Sequence, residues 1–297
     1  MDAGALLVDK PSGPTSHDVV ARVRRALGTR AVGHTGTLDP FATGLLVILV
    51  GRATRLARFV EQQAKTYLAT VRLGVRTSTD DLTGDVLAGG TERAGGAGEL
   101  TGGLPSRHEV ETALRGFLGS QRQRPPAFSA KRVAGERSYA KARRGEAVEL
   151  AEVDILVHAM ELIGYDYPDL QFRTTVSAGT YVRAIGRDLG ERLGTGAHLT
   201  ALRRLAIGPL SVEEAVPLDA ITAAGLRPPL SVLGHLARID VTEEDAKALG
   251  YGQAVRRSGG QWPPTSIAAV ASGDRLIAVG RVRNDVFQPE VVLEAAG

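Results

Sequence analysis

The spacing of hydrophobic positions changes period along the chain, and each change marks an element. GALLVDK reads as a first strand and PSGPTS as a loop. Val19, Val20, Val23, Ala26 and Leu27 then follow helical spacing, with Arg22, Arg24 and Arg25 mostly elsewhere on the surface. This predicts a helix from about His17 to Leu27, capped by Thr15 or Ser16 and stopped at Gly28. Leu45 to Val50 is continuously apolar, the pattern of a strand buried on both faces. A second amphipathic helix is built on Leu56, Phe59 and Val60. From Lys65 to Gly74 the period falls to two. Tyr67, Ala69, Val71 and Leu73 share one side of a strand with one face inward.

Further on, Ser106 and Glu109 form a capping-box pattern ahead of Val110, Ala113, Leu114 and Phe117. Two strands are expected around Val153 to Ile163 and Leu170 to Ser177. AGTYVRAIGRDLGERLG returns to helical spacing through Val182, Ile185, Leu189 and Leu193. Strands and helices alternate irregularly, not as repeated βαβ units. The expectation is therefore an α+β fold with a mixed, largely antiparallel sheet and flanking helices. LRPPLSVLGH reads as a linker, and the pieces AAVA, RLIAVGRV and VFQPEVVL beyond it suggest a small β-rich module. The expected domains are residues 1–235 and 236–297. Between Gly89 and Gly103, seven of fifteen residues are glycine, which predicts a flexible surface insertion at about 88–105 without chemistry.

With 297 residues the chain can bury a full core, and 43% hydrophobic with 23% charged residues is ordinary for a globular protein. LLVILV is too short to cross a membrane as a helix. MDAGALLVDK lacks the parts of a signal peptide, so a cytoplasmic protein is expected. Cysteine is absent, which excludes disulfides, thiolate metal sites and a cysteine nucleophile. The net charge of +3 decides little, but its distribution does more. From Ala113 to Gly145 nine basic residues (Arg115, Arg122, Arg124, Lys131, Arg132, Arg137, Lys141, Arg143 and Arg144) face Glu136 alone, an excess that suits a polyanion.

The most informative stretch is VGHTGTLDPFATGLLVILVG, Val32 to Gly51, read as a loop running into the buried strand. Gly33, Gly36 and Gly44 open backbone conformations that a Cβ would block, and Pro40 holds Asp39 extended and out of a helix. One carboxylate is thus presented on a shaped loop, with His34 five positions earlier. This loop lacks the Lys-Ser/Thr ending of a phosphate-binding P-loop. The six histidines are scattered, with none at the i,i+4 spacing of a helical zinc site, and no G-x-S-x-G elbow is present. What remains is chemistry by carboxylate, tyrosine and arginine, with neither cofactor nor metal.

Several collinear segments resemble one family. They are LLVDKPSGPTSHDVV, VGHTGTLDPFATGLL, KTYLATVRLGVRTSTDDLTGD, RPPAFSAKRVAGERSYAKARRG and SAGTYVRAIGRDLGERLGTGAHLTALRR, followed by a C-terminal stretch similar to a PUA module. The family is that of the TruB-type tRNA pseudouridine synthases, which isomerise uridine 55 in the T arm. The resemblance implies a central catalytic cleft and a set of roles. Asp39 falls on the catalytic aspartate, which acts covalently or as a base while the C1′–N1 bond breaks. Arg183 matches the arginine that pairs with it, a pairing that typically lowers an aspartate pKa by about 1–3 units. Tyr67 matches the tyrosine that stacks on the target base, and His34 the histidine that fills the space left when the uridine flips out. Lys10 and Pro11 match a K-P-x-G segment supporting the catalytic loop. Asp81 matches an acidic residue near the substrate, Tyr181 lies in the matched G-T-Y substrate segment, and Leu202 matches an apolar wall of the uracil pocket.

The implied partner is the tRNA T stem-loop, bound by a monomer with no obligatory protein partner and no membrane. Basic side chains would neutralise RNA phosphates, with affinity falling as salt rises. A guide-RNA-dependent synthase and a non-catalytic RNA-binding protein are the rival readings. The sequence departs from the family pattern at Phe128, where Tyr is frequent, and at Arg132, where Lys is usual. Ser78 replaces a frequent Asp, and Ala178 precedes G-T-Y where Lys, Ser or Gly is common. None of these removes an implied catalytic group.

Overall fold

The computed structural model describes residues 3–87, 104–128, 150–256 and 267–293, with backbone alone at 132–133 and 136–137. The predicted Gly-rich insertion, apart from its last two residues, and residues 129–131, 134–135 and 138–145 of the basic stretch lie outside the described residues. In chain order the elements are β1 (Gly4–Lys10), α1 (Ser16–Leu27), β2 (Val32–His34), β3 (Thr43–Val50), α2 (Ala57–Glu61), β4 (Lys65–Leu73), α3 (Arg107–Arg115) and β5 (Gly119–Gln123). A two-residue pair follows, β6 (Arg132–Val133) and β7 (Glu136–Arg137), then β8 (Val153–Asp166), β9 (Asp169–Val176), α4 (Val182–Arg192) and β10 (Ala197–Ile207). The chain continues through β11 (Leu210–Ser211), β12 (Val216–Pro217), β13 (Ala237–Asp240), α5 (Glu243–Gly250), β14 (Ala268–Ser272), β15 (Arg275–Arg283) and β16 (Val286–Val292). The fold is mixed, with few helices, and its strand pairs are largely antiparallel. β1–β12 and β13–β14 run parallel, whereas β1–β3, β2–β3, β4–β9, β8–β9, β5–β8, β14–β15 and β15–β16 run antiparallel.

The chain divides into two compact units, Met1–Gln63 with Ala206–Gly297, and Ala64–Leu205. In the first, β1 lies between β3 and β12, with Gly4 opposite Val50 and Lys10 opposite Gly44. The apolar run from Leu45 to Val50 is fully buried, as its unbroken hydrophobicity requires. Helix α1 buries Val19, Val20, Val23 and Leu27, the stripe set by its spacing. Of the two candidate caps, Thr15 is the one used. Its hydroxyl accepts from the Asp18 amide while the Asp18 carboxylate accepts from the Thr15 amide, and Gly28 closes the helix in the left-handed region. Ser16 is freed for another task. The segment from Val32 to His34, read as loop, forms β2 against β3, with His34 opposite Ile48.

The predicted linker is packed into the first unit. Arg227 exchanges backbone hydrogen bonds with Ala5 at 2.8 and 2.9 Å, and Val232 and Leu233 are buried. The C-terminal module has the strand order β13-β14-β15-β16 around a core of Ile239, Leu249, Val270, Ile277 and Phe287, with α5 as an unforeseen helix. Edge strand β16 is gripped by arginines three residues apart. Arg52 and Arg55 donate to the carbonyls of Leu293 and Val292, and Arg58 pairs with Glu290.

The second unit orders its strands β10-β4-β9-β8-β5. In β4 the residues Lys65, Tyr67, Ala69, Val71 and Leu73 are buried in strict alternation, as the sequence predicts. Both strands expected after residue 150 form, as does the helix after Gly179. The capping box at Ser106 forms with both of its bonds.

Candidate active site

The loop presenting Asp39 is fixed from beneath by main-chain acceptors. Lys10, at the end of β1, has no exposed surface, and its ammonium donates to the carbonyls of Pro11, Pro14 and Pro40 at 2.8, 2.8 and 3.2 Å. One cation thereby joins the K-P-x-G segment to the residue after Asp39. Gly13 adds its amide to the same Pro40 carbonyl at 2.8 Å. On the other flank, the Ser16 hydroxyl accepts from the Leu38 amide at 2.9 Å and donates to the Leu38 carbonyl at 3.2 Å. The Ala42 amide closes a turn onto the Asp39 carbonyl at 3.1 Å. Gly36 and Gly44, on either side of Asp39, have φ of 112° and 101°, a region costly for any residue with a Cβ. Asp39 is half-buried in this frame. His34 ends β2, and its ring meets that of His17 edge to face, with centroids 5.4 Å apart and an interplanar angle of 82°. Nothing in the sequence pattern singles out His17.

In the second unit, the polar turn from Thr77 to Asp85 is partly buried. Asp81 is 3% exposed and forms an ion pair with Arg183 at 3.3 Å. Thr79 and Thr83 complete the shell of Asp81, each donating a hydroxyl to Oδ1, with the Thr83 amide adding a third bond at 2.9 Å. Arg183 lies in the first turn of α4 and also donates to the carbonyls of Thr79 at 2.8 Å and Phe128 at 2.9 Å. It is the Phe128 backbone that is used, so the departure from Tyr leaves this contact intact. Ser78, another departure, accepts from the Asp85 amide at 3.1 Å and pairs its own amide with the Asp85 carbonyl.

Tyr181 is the N-cap residue of α4, and its side chain makes no capping bond to the helix amides. Its backbone is held by the Gln123 amide, which donates to the Tyr181 carbonyl at 3.0 Å and accepts from the Tyr181 amide at 2.9 Å. Tyr67 lies on β4 opposite Thr174 of β9, and Leu202 on the neighbouring strand β10; both are nearly fully buried. The second unit thus brings Asp81 to Arg183 and places Tyr67 and Leu202 on adjacent strands. The first unit brings Lys10 onto the frame of Asp39 and sets His34 at the end of β2 against His17.

Beside Asp81 a second acid was not anticipated. Asp80 pairs with Arg187 at 3.1 Å, and Arg187 also binds Asp188 at 2.7 Å and the Arg124 carbonyl at 2.9 Å. Burial pushes the Asp80 carboxyl above its ordinary pKa, outweighing the pull of Arg187 and Arg183. Asp188 is raised by burial in the same way, against the pull of Arg187. Burial works against the Arg187 charge, yet Asp80 and Asp188 hold its pKa above the usual value. The signal for this pair was in the sequence as two arginines four apart in YVRAIGR and two adjacent acids in TDD, but only the fold matches them.

Among the described residues no cluster of histidine and acidic side chains is suited to a metal ion, and no helix is long and apolar enough to cross a membrane. Residues 24–182 match the TruB family pseudouridylate synthase N-terminal domain, and residues 183–228 match the tRNA pseudouridylate synthase B C-terminal domain. Relatives named tRNA pseudouridine synthase B include one from Thermobifida fusca (strain YX), 42% identical across 98% of this chain and 99% of the relative. Another, from Gloeobacter violaceus, is 42% identical across 98% of each chain. Among solved structures the chain is similar to a Cbf5-Nop10-Gar1 complex, with a TM-score of 0.73 and 24% identity over 99% of this chain and 85% of that one. An archaeal box H/ACA sRNP Nop10-Cbf5 complex gives a TM-score of 0.70 at 24% identity, over 99% and 86% of the two chains. At these identities the likeness is one of fold.

Proposed function

The chain belongs to the TruB family of pseudouridylate synthases, and we propose that it isomerises uridine 55 in the T arm of tRNA to pseudouridine. The observation that carries this reading is the match to tRNA pseudouridine synthase B along nearly the whole chain. It is supported by an Asp39 loop held in a fixed frame by Lys10 and Ser16.

The reaction is an isomerisation, so nothing is added or lost overall. The C1′–N1 glycosidic bond breaks, the uracil turns, C5 bonds to C1′, and the C5 proton leaves while N1 gains one. Asp39 acts at the sugar, as nucleophile on C1′ or as base, and the family resemblance gives Arg183 the part of the cation that keeps such a carboxylate ionised. A cation that is itself buried and oriented by Asp81 serves this role without having to be reorganised during the reaction. Tyr67 stacks on the target base and assists loss of the C5 proton, Leu202 provides an apolar wall, and Tyr181 supports the base from the start of α4. Taking the uridine out of its stack costs a few kcal/mol, and His34, filling the gap, offsets part of it.

Residues 1–235 form the synthase domain in this reading, and residues 236–297 a PUA-like RNA-binding module. The protein works in the cytoplasm as a monomer without cofactor or protein partner. The test uses the purified chain and a T-arm hairpin carrying tritium on C5 of its uridines, with no metal, guide RNA or second protein. Tritium release equal to the uridine at position 55, and from that position alone, is expected. Release that required an added guide RNA would move the chain to a guide-dependent reading. Salt-sensitive binding without release would leave an RNA-binding protein.

A further inference from the structure

The loop from Thr77 to Asp85 is tied to α4 by two ion pairs besides the Arg183 bond to the Thr79 carbonyl, and of the two pairs only that of Asp81 has a place in the proposed chemistry. Successive residues of an extended chain point to opposite sides, so Asp80 and Asp81 would not ordinarily both reach one helix. Asp80 escapes this by adopting a left-handed backbone, φ 60°, which aspartate tolerates better than most residues. Both carboxylates then meet α4, Asp81 at Arg183 and Asp80 at Arg187, one helical turn apart. The Asp80 carbonyl is also fixed, accepting from the Leu199 amide at 3.0 Å. Arg187 draws in a second segment as well. It donates to the Arg124 carbonyl, as Arg183 does to the Phe128 carbonyl, so both arginines staple the same two stretches of chain to one helix face.

We propose that Arg187 and Asp80 form a positioning pair for the reaction, locking the loop in the conformation that presents Asp81 to Arg183 and so fixing the Arg183 guanidinium. Arg187 touches neither substrate nor reacting atoms in this account. It acts through the backbone of Asp80, and a shift there moves Asp81 directly, because the two are adjacent. The proposal rests on the synthase reading of Arg183. The strain of the left-handed Asp80 is held by Arg187, whose planar fork binds Asp80, Asp188 and the Arg124 carbonyl at once. A lysine ammonium at this position would keep the charge but not all three contacts.

The test compares wild type with Arg187→Gln, Arg187→Lys, Asp80→Asn and the double variant Asp80→Asn/Arg187→Gln. Activity is measured on the T-arm hairpin, and hydrogen exchange at the Thr83 amide, which is bonded to Asp81. Arg187→Gln should lower kcat about 10- to 100-fold, as displaced catalytic groups do, with KM little changed. Thr83 exchange should quicken, and Arg187→Lys should fall between Gln and wild type in both readouts. The double variant should be no slower than the worse single variant, since the pair acts as a unit. Wild-type kcat and wild-type Thr83 exchange in Arg187→Gln would overturn the proposal, as would additive losses in the double variant. Should Arg187→Gln fail to fold, Asp80→Asn carries the same two readouts. A wild type that makes no pseudouridine would defeat the synthase reading instead, and the Thr83 exchange of the variants would still decide whether the pair positions the loop.

Discussion

The loop around Asp39 and the loop around Asp81 each carry an acid assigned to the site, and different bonds hold the two loops. Around Asp39 the work is done by main-chain amides and carbonyls, gathered by one buried ammonium and one hydroxyl. Around Asp81 it is done by charge against charge, with Arg183 and Arg187 set against Asp81 and Asp80. The first arrangement fixes the loop through its main chain and leaves Asp39 half-buried. The second commits Asp81, 3% exposed, to orienting a cation. The carboxylate proposed to react and the one proposed to support it thus differ in how their loops are framed, and this difference can be attacked one bond type at a time.

The largest effect is expected at the charge pair. Arg183→Met leaves Asp81 buried without its cation, and thermal unfolding should show a loss of about 3–5 kcal/mol. A loss below about 1 kcal/mol would mean that the Thr79 and Thr83 bonds alone satisfy Asp81. Next comes Lys10→Met, which strips three carbonyls of a charged donor and should cost about 2–3 kcal/mol. An equal or greater loss than at Arg183 would reverse the ranking of the two loops. Ser16→Ala removes the two bonds to Leu38 and should cost about 1–2 kcal/mol.

The smallest effect is read by carboxyl titration. Asp80, buried, should titrate above the ordinary aspartate value of 3.8, and Asp18, accepting the Thr15 hydroxyl and amide, below it. Asp80 therefore takes up its proton at a higher pH folded than unfolded. Its contribution to stability grows as pH falls through that folded value and levels off below the unfolded one. For Asp18 the sense is opposite: its contribution is present above the unfolded pKa and is lost as pH falls through the folded one. Finding Asp80 titrating below Asp18 would contradict the assignment of burial as the dominant influence on Asp80.

What could be read from the chain beforehand follows from which interactions are local. The helix cap at Thr15 or Ser16, the capping box at Ser106, the unbroken run in β3 and the alternation in β4 are short-range patterns, and all four appear in the fold, with Thr15 as the cap. Strand β2 escaped because Val-Gly-His inside a glycine-rich loop has almost no strand preference of its own; pairing with β3 supplies it. Strand β10 escaped because Arg204 is buried on it while Leu199 and Leu202 are spaced like a helix. The prolines of Leu226 to His235 suggested a linker, but the tie to Ala5 and the burial of Val232 and Leu233 are tertiary. At the site, resemblance named Asp39, Lys10, Asp81 and Arg183. It could not show that Lys10 gathers three carbonyls, or that Asp80 and Arg187 lie one turn from the first ion pair, because those contacts join residues up to 107 positions apart.

The central claim is that the carboxylate framed by Lys10 and Ser16 carries the reaction. Its most direct test is pseudouridine formation in a T-arm hairpin by wild type beside Asp39→Asn, a change that keeps size and shape and removes the charge. Product from wild type and none from Asp39→Asn, with both proteins equally folded and binding the hairpin alike, is the predicted result. Product from both at similar rates would contradict the account, removing Asp39 from the chemistry and leaving its frame without the function assigned to it.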